Sequence, residues 1–527
     1  MAARTYESAL AHLDSIQSNR HVTSLFSAPP SSSSSSPSSN PTAADLNAQA
    51  IPEMLAWLER AGLTQTALAQ NLRCVHVAGT KGKGSVCAYV TAILLTQPST
   101  AGRVGTYTSP HLVSVRERIQ LDGRPISRAL FARYFFEVWD ALTSSARAAA
   151  TLSGQPVSDA ELAGPATKPF YFRFLTILAL HAFLREGVRS AVVECGIGAE
   201  HDSTNVLPAA AVTAAVVAQL GVDHVGMLGA ARPRIAWHKA GVMKPARACF
   251  TRKLTDASAE DGEATMQVLR RRAADKDARL VEVDDAEVER WGGAHVEGGG
   301  LEGGFQKYNQ ALALRAAAEH LRVLAGDAQA AGEERLDVLA ERFASGLRTA
   351  RLRGRCETRE DGAVTWLVDG AHTAESLEEV ARWFAAKRKS LPSPNSNSTS
   401  KTQFVLLFNQ QERDVAKLLH SLHAGIAREL GAGDAFFHSA IFTRNDVYGR
   451  RAGEPERDLS VQRAAADAMQ TLSPRTESIV VDNVSEAVER IQAMPHGDGT
   501  ARVVVLATGS LHLVGALLRT LEPDGEL

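Results

Sequence analysis

Cysteine is scarce: five in 527 residues (Cys74, Cys87, Cys195, Cys249 and Cys356), odd in number, scattered, and without a C-x-x-C pair. That excludes a disulfide framework and a cysteine-based zinc site, and it fits a reducing compartment. Long apolar runs are missing too. The longest, Ala209 to Ala218, falls far short of the ~18–20 residues that cross a bilayer. Neither sign of charge dominates. Lys plus Arg total 57 against 59 Asp plus Glu, a formal net charge of −2. Bulk attraction to nucleic acid or lipid headgroups is therefore not expected, although a local basic pocket stays compatible. No internal repeat is apparent. The opening MAARTYESALAHLDSIQSNR lacks the apolar core of a signal peptide, and Glu7 and Asp14 are out of place in a transit peptide. Tyr6, Leu10, Leu13 and Ile16 lie near one face, so a packed first helix of a soluble domain is expected.

What is present is ordinary globular material, 45% hydrophobic and 22% charged, enough for three to four domains or two large ones with insertions. Three stretches read as insertions. Residues 28–43 are dominated by Ser and Pro, and 390–402 (with LPSPNSNSTSKT) are alike; neither buries enough apolar surface to offset the entropy of ordering. Gly292 to Gly304 holds seven glycines in thirteen residues and reads as a flexible loop. Arg270 to Arg290 reads as a solvated helix followed by an edge strand, ARLVEVD.

Between them, short β-branched runs alternate with helical ones. CVHVAG, SAVVECGIG and AVTAAVVAQLGVDH read as strands, and SVCAYVTAILL and RFLTILALHAFLREG as helices. Beyond about residue 345 the alternation restarts with VTWLVDGA, ESLEEVARWFAAK, QFVLLFNQ, DAFFHSAIF, ESIVVDNV, RVVVLATGS and LHLVGALLRTLE. Alternation of this kind means βαβ crossovers and mostly parallel sheets. The expected fold is α/β with two domains: residues 1–345, a P-loop ATP-binding domain with a mostly parallel sheet, and residues 346–527, a Rossmann-like α/β domain. Ligands of such sheets sit beyond the carboxyl ends of the strands.

The sharpest local signal is VHVAGTKGKGSV, a buried strand running through Gly79 to Ser85 into a helix. Glycines let amides turn toward anionic oxygens, and the helix N-terminus adds a favourable dipole. Lys83 would reach the β- and γ-phosphates, and Ser85 a phosphate or its metal. The strict G-x-x-x-x-G-K-[ST] expression fails, because Val77 stands at its first glycine and Gly84 at its hydroxyl position. A plain Gly/Lys-rich turn is the alternative. Glu194 and His224 each end a strand on that same edge; a hard cation such as Mg²⁺ takes oxygen ligands with phosphate and water, which suits Glu194 and tolerates His224. A solvent-facing carboxylate and a structural histidine are the alternatives. Arg116 and Arg118, in TSPHLVSVRERI, could offer guanidiniums to a carboxylate or merely line a half-exposed strand. In LVDGAHTAES, Asp369 and His372 lie at another strand-to-helix turn, as functional groups or as turn and first-turn residues.

The chain resembles the folylpolyglutamate synthases of the Mur ligase superfamily, particularly the fungal ones. The resemblance is carried by GTKGKGS, TSPHL with RERI, YFRFLT, VECGIGAEHDSTN, LGVDHVGMLG, IAWHKAGVMK, GRCE, VDGAHT and LLFN, in the family's order over nearly the whole chain. It implies an ATP-dependent ligase adding L-glutamate by γ-linkage to tetrahydrofolate (poly)glutamates through an acyl phosphate. It places Gly79, Thr80, Lys81, Gly82, Lys83, Gly84 and Ser85 around ATP, Ser109, Glu194 and His224 on magnesium, and Arg355 and Asp369 on the nucleotide. Lys239 matches a position carbamylated in several superfamily members, with a plain lysine on phosphate as the competing view. Lys83, Lys239 and His372 are the implied catalytic group, His372 positioning the incoming glutamate. Arg116 and Arg118 are the candidate substrate contacts. A second magnesium ion and a monovalent cation are compatible with the family pattern. One departure is DGAHTAES, where bacterial members commonly read DGAHN-P. The implied partners are reduced folate, L-glutamate and ATP, with no nucleic acid, for a monomer in the cytoplasm with a mitochondrial pool compatible. The alternatives are a dihydrofolate synthase joining glutamate to dihydropteroate and, in another class, a P-loop nucleotide switch or kinase.

Overall fold

The computed structural model describes residues 4–16, 43–154, 157–254, 259–294, 301–327, 334–390, 402–411, 414–431, 435–451, 453–494 and 502–522. Nearly all of the expected 28–43 and 390–402 insertions, and the middle of the 292–304 loop, lie outside the described residues. The chain divides into two compact units, one of Met1–His111, Arg116–Ala294 and Lys307–Ala350, the other of Leu112–Val115, His295–Gln306 and Arg351–Leu527.

The first unit is built on an eight-stranded sheet, ordered β4-β3-β2-β5-β1-β6-β7-β8. Its strands are β1 (Arg73–Ala78), β2 (Val104–Tyr107), β3 (Ile119–Leu121), β4 (Arg124–Pro125), β5 (Ser190–Glu194), β6 (Val212–Val217), β7 (Ala248–Lys253) and β8 (Arg279–Asp284). All pairings are parallel except β2 with β3 and β3 with β4. The central β5 and β6 are buried along their whole length, as continuous β-branched and alanine runs require when helices cover both faces. The edge strand β8 is mostly half-exposed, in keeping with its charged residues.

The second unit carries a six-stranded sheet, β13-β12-β11-β14-β10-β9, made of β9 (Glu357–Asp361), β10 (Val364–Val368), β11 (Gln403–Phe408), β12 (Ser439–Phe442), β13 (Glu477–Val480) and β14 (Val503–Thr508). Only β9 runs antiparallel to its neighbour. Alternate residues of β14 split between two cores: Val504 and Leu506 pack with Phe384, Leu419 and Phe442 on one face, Val503, Val505 and Ala507 with Val488, Leu513 and Leu517 on the other.

The boundary falls at Ala350, later than the expected 345, for a packing reason. The helix Ala344–Thr349 lies on the first unit, where a Cβ at Gly346 would stand 2.6 Å from the Ile93 Cα. Likewise the described end of the glycine-rich stretch is anchored in the second unit: Glu302 accepts hydrogen bonds from Trp383 Nε1 and Lys387 Nζ, both at 2.8 Å. The arginine-rich RERI stretch opens as a 3₁₀ turn, Val115–Arg118, not as a strand; only from Ile119 does it enter the sheet. Among the described residues no helix is long and apolar enough to cross a membrane.

Candidate nucleotide and metal site

The order β2-β5-β1-β6, all parallel, sets the carboxyl ends of four strands side by side. Past β1 lies the glycine loop, past β2 Ser109, at the end of β5 Glu194, and past β6 the segment to His224. This is the ligand edge that parallel sheets provide.

The loop needs glycine at two points. Gly79 has φ +154 and a Cβ there would lie 2.8 Å from Ala218 Cβ; Gly82 has φ +81 and a Cβ would lie 2.3 Å from Asn309 Oδ1. The Thr80 and Lys81 amides both donate to the Gln219 carbonyl, at 2.9 and 3.2 Å, and Thr80 Oγ1 donates to Gly221 O at 3.0 Å. These two residues therefore tie the loop to the β6 end, Lys81 through its backbone and Thr80 through its backbone and its hydroxyl. The helical ladder of Lys83–Leu95 begins with Val86 N donating to Gly82 O, so the amides of Lys83, Gly84 and Ser85 precede it, where a helix N-terminus meets anions. Gly79→Ala is expected to cost about 1–3 kcal/mol in local strain, seen calorimetrically as a lower unfolding temperature.

Glu194 is buried, and its Oε2 accepts the Ser109 amide at 3.0 Å. Ser109 and Glu194 are thus brought together. His224 sits in the left-handed region (φ 50), exposed, with its Nε2 3.8 Å from Asp223 Oδ2. No cluster of three or more His, Cys, Asp or Glu groups poised for a metal occurs among the described residues. The Glu194 carboxylate beside Ser109 suits a hard cation that draws its remaining ligands from phosphate and water, the habit of Mg²⁺.

Lys239, at the end of the helix Arg232–Lys239, is buried and donates to the Gly79 carbonyl at 2.7 Å. Burial pulls its amine down to about 7, and the Lys83 ammonium nearby pushes the same way, against Cys195 and Asp223. Two lysines facing one loop make an electropositive centre. Behind Glu194, Asp202 takes the amides of Gly196 (2.9 Å), Ile197 (3.1 Å) and Thr204 (2.9 Å), and Thr204 Oγ1 meets His76 Nε2 at 2.8 Å. Burial raises the Asp202 carboxyl and lowers the His76 imidazole to about 3. Asp202, Thr204, His76, Gln219 and Asp223 were not singled out from the sequence. Asp223 had a legible signal, its place at a strand end beside His224; His76 and Thr204 had none, being buried in a strand and a short turn.

Arg116 is buried rather than half-exposed: it donates from Nη1 to the Ile126 carbonyl at 3.1 Å and lies 5.9 Å from the Tyr6 ring centre. Arg118 stays by the TSPH turn, donating from Nε to His111 Nδ1 at 2.9 Å.

In the second unit Asp369 is buried at the end of β10, its carboxylate oxygens accepting the Cys356 and Ala371 amides, both at 2.8 Å. Burial raises its carboxyl and Arg355 opposes that; a Cβ at Gly370 would stand 2.9 Å from Arg355 Nη1. Arg355, Asp369 and Gly370 are therefore one cluster. His372 Nδ1 donates to Gly370 O at 2.9 Å; because a carbonyl only accepts, this bond assigns the lone pair of the neutral ring to Nε2.

Residues 353–426 match a family described as "Dihydrofolate synthetase, C-terminal domain". The chain is 37% identical to the folylpolyglutamate synthase of Neurospora crassa over 496 residues, 90% of this chain and 86% of that one. Identity to the Saccharomyces cerevisiae (strain FostersO) enzyme of the same name is 33% over 531 residues, 98% of this chain and 87% of that one. Among solved structures, the Mycobacterium tuberculosis folylpolyglutamate synthase complexed with ADP aligns over 98% of this chain and 100% of its own, with a TM-score of 0.61 at 22% identity, which shows a shared fold. With two fungal relatives above 30% identity across most of its length, the chain belongs to the folylpolyglutamate synthase family.

Proposed function

We propose that the strand-end edge of the first unit binds the triphosphate of ATP and uses it to activate the terminal carboxylate of a folate for attack by L-glutamate. The family makes the chain an ATP-dependent glutamate ligase acting on folates, which sets aside the nucleotide switch or kinase. The observation that carries the site is the joint placement of the glycine loop with Lys83, Ser109 and Glu194 at three adjacent strand ends, with Lys239 reaching the loop from the end of a helix.

A carboxylate is a poor electrophile. It takes the γ-phosphoryl group first, giving an acyl phosphate and ADP; the α-amine of glutamate then attacks the acyl carbon, and phosphate leaves. Lys83 and the amides of the first helical turn neutralise charge on the transferring group, which is most of what phosphoryl transfer asks of a protein. Magnesium, when bound, adds charge neutralisation at the phosphate oxygens, with Ser109, Glu194 and His224 as its proposed protein ligands. Arg355 and Asp369 are proposed nucleotide contacts, in line with the ADP of the mycobacterial relative. His372 is proposed to position the incoming glutamate, its Nε2 lone pair suited to accept from an ammonium.

Lys239 carries a pH prediction. Its amine, at about 7, is cationic below that pH and neutral above it, and only the neutral form adds CO₂, giving a carbamate and releasing one proton. With ¹³C-labelled CO₂, a carbamate resonance is expected to grow as pH rises through 7 and to be missing from Lys239→Arg. A spectrum without it at pH 8 assigns Lys239 as an unmodified contact.

Incubation with ATP, tetrahydrofolate and L-glutamate is expected to release ADP only when both co-substrates are present. ADP release at full rate without glutamate contradicts the proposal. The family match of residues 353–426 gives dihydrofolate synthase activity as the second reading; dihydropteroate against tetrahydrofolate as sole acceptor separates the two.

A further inference from the structure

The centre of the first sheet holds a side chain whose chemistry the strand does not need. His76 lies in β1 between Val193 of β5 and Ala215 of β6, fully buried, where an apolar residue would serve the packing. Burial pulls its imidazole down to about 3, with the Lys244 ammonium pushing the same way, so the ring is neutral and carries one N–H. The neighbours decide where that proton sits. Asp202 accepts the amides of Gly196, Ile197 and Thr204, and Thr204 Oγ1 donates its own proton to Asp202 Oδ1 at 2.6 Å. The Thr204 oxygen is left as an acceptor toward His76 Nε2, 2.8 Å away. The proton is therefore on Nε2. Nδ1 is a bare lone pair, buried and without a hydrogen-bond partner among the described residues.

A bare nitrogen inside a central strand lowers stability. It is tolerated where the other side of the ring does something valine cannot. Here that side touches both ends of the loop that leaves β5. Cys195, the residue after Glu194, has its Sγ 3.1 Å from the same Nε2, and Thr204 closes the far end of the loop. The Cys195 amide also donates to the Val77 carbonyl at 2.9 Å, so β1 grips this loop by backbone and by side chain. Just past His76 the same strand turns into the glycine loop at Gly79.

We propose that His76 is a positioning residue for the metal site: through Thr204 and Asp202, its Nε2–H holds the segment after Glu194 against the strand that carries the glycine loop, so that the carboxylate and the phosphate-facing amides keep a fixed separation. His76 is buried behind the loop and acts only through other side chains. Because it works along one chain of hydrogen bonds, cutting that chain at either link has the same effect, a signature that plain packing lacks.

The inference rests on the reading of Glu194 as a metal ligand, and its test tells the two apart. Mn²⁺ binding in the presence of a non-hydrolysable ATP analogue is read from the loss of the free-ion electron paramagnetic resonance signal, beside magnesium titrations of activity. His76→Val is expected to weaken Mn²⁺ binding about tenfold, the lower end of the ~10–100-fold range for outer partners of a metal, while affinity for the analogue without metal stays within about twofold. Its unfolding temperature is expected to stay close to the native one, since a β-branched side chain suits a buried strand. His76→Gln, whose amide nitrogen takes the place of Nε2, restores most of the difference. Thr204→Val cuts the same chain and is expected to give the same shift. Combined with His76→Val it adds nothing further, about tenfold in all where independent sites would give about a hundredfold. Should His76→Val not fold, Thr204→Val alone carries the comparison. Native Mn²⁺ affinity in either folded single variant, or a double variant weakened about a hundredfold, overturns the positioning role and leaves the metal site standing. Native Mn²⁺ affinity in Glu194→Gln overturns the metal reading itself.

Discussion

Lys83→Ala is expected to lower kcat by a factor on the order of 10² or more, the scale for losing one group that meets developing charge. The reason lies in the surroundings of the residue. Lys83 opens the helix that follows the glycine loop, and its ammonium helps depress the buried Lys239 amine, whose own proton goes to the Gly79 carbonyl. A second positive charge beside Lys83 is unfavourable until an anion joins the loop, which is why the Lys239 amine is depressed and the arrangement is poised for a triphosphate. Lys83→Arg keeps the charge but replaces a compact ammonium with a planar fork, and is expected to recover nucleotide binding more fully than turnover. Binding of a fluorescent ATP analogue, read beside single-turnover ADP formation, checks both. Native turnover in Lys83→Ala would remove the loop from the phosphate site.

Glu194→Gln is expected to raise the magnesium concentration needed for half-maximal activity by at least the ~10–100-fold that losing even an outer partner of a metal costs. The amide isolates charge from structure, because its carbonyl oxygen can still accept the Ser109 amide that Glu194 Oε2 now takes at 3.0 Å. Ser109→Ala is the complementary variant: it keeps that backbone bond and removes only the hydroxyl, so a milder shift is expected. Magnesium titrations of the three proteins read the order directly. A titration of Glu194→Gln that overlays the native one would strike Glu194 from the metal ligands.

The parallel strands were legible because burial on both faces writes itself as unbroken apolar letters, as in SAVVE and VTAAVV. Strands that satisfy only a sheet edge leave no such mark. ETRED in β9 is polar throughout, and β3 and β4 together hold only five residues; each is fixed by its neighbour across a tight turn, where Asp122-Gly123 and Asp361-Gly362 were the available clues. The site divides in the same way. Strand-end position pointed to the loop, Glu194 and Asp369 as candidates, and family pattern added Ser109, Lys239 and Arg355 to them. A guanidinium in a sequence carries no sign of whether it faces solvent, which is why the burial of Arg116 beside a carbonyl and an aromatic ring was not legible. Asp202 escaped notice for the opposite reason. Its role is to gather the amides of Gly196, Ile197 and Thr204 behind Glu194, a task defined by the fold of one loop.

The most direct measurement is a crystal structure with a non-hydrolysable ATP analogue and Mn²⁺, with the metal placed by anomalous scattering. The account predicts the triphosphate along Gly79 to Ser85 and a metal peak within direct coordination reach, about 2.0–2.2 Å, of Glu194. A nucleotide bound away from the β1 and β5 strand ends, or a metal peak that leaves Glu194 untouched, would contradict it.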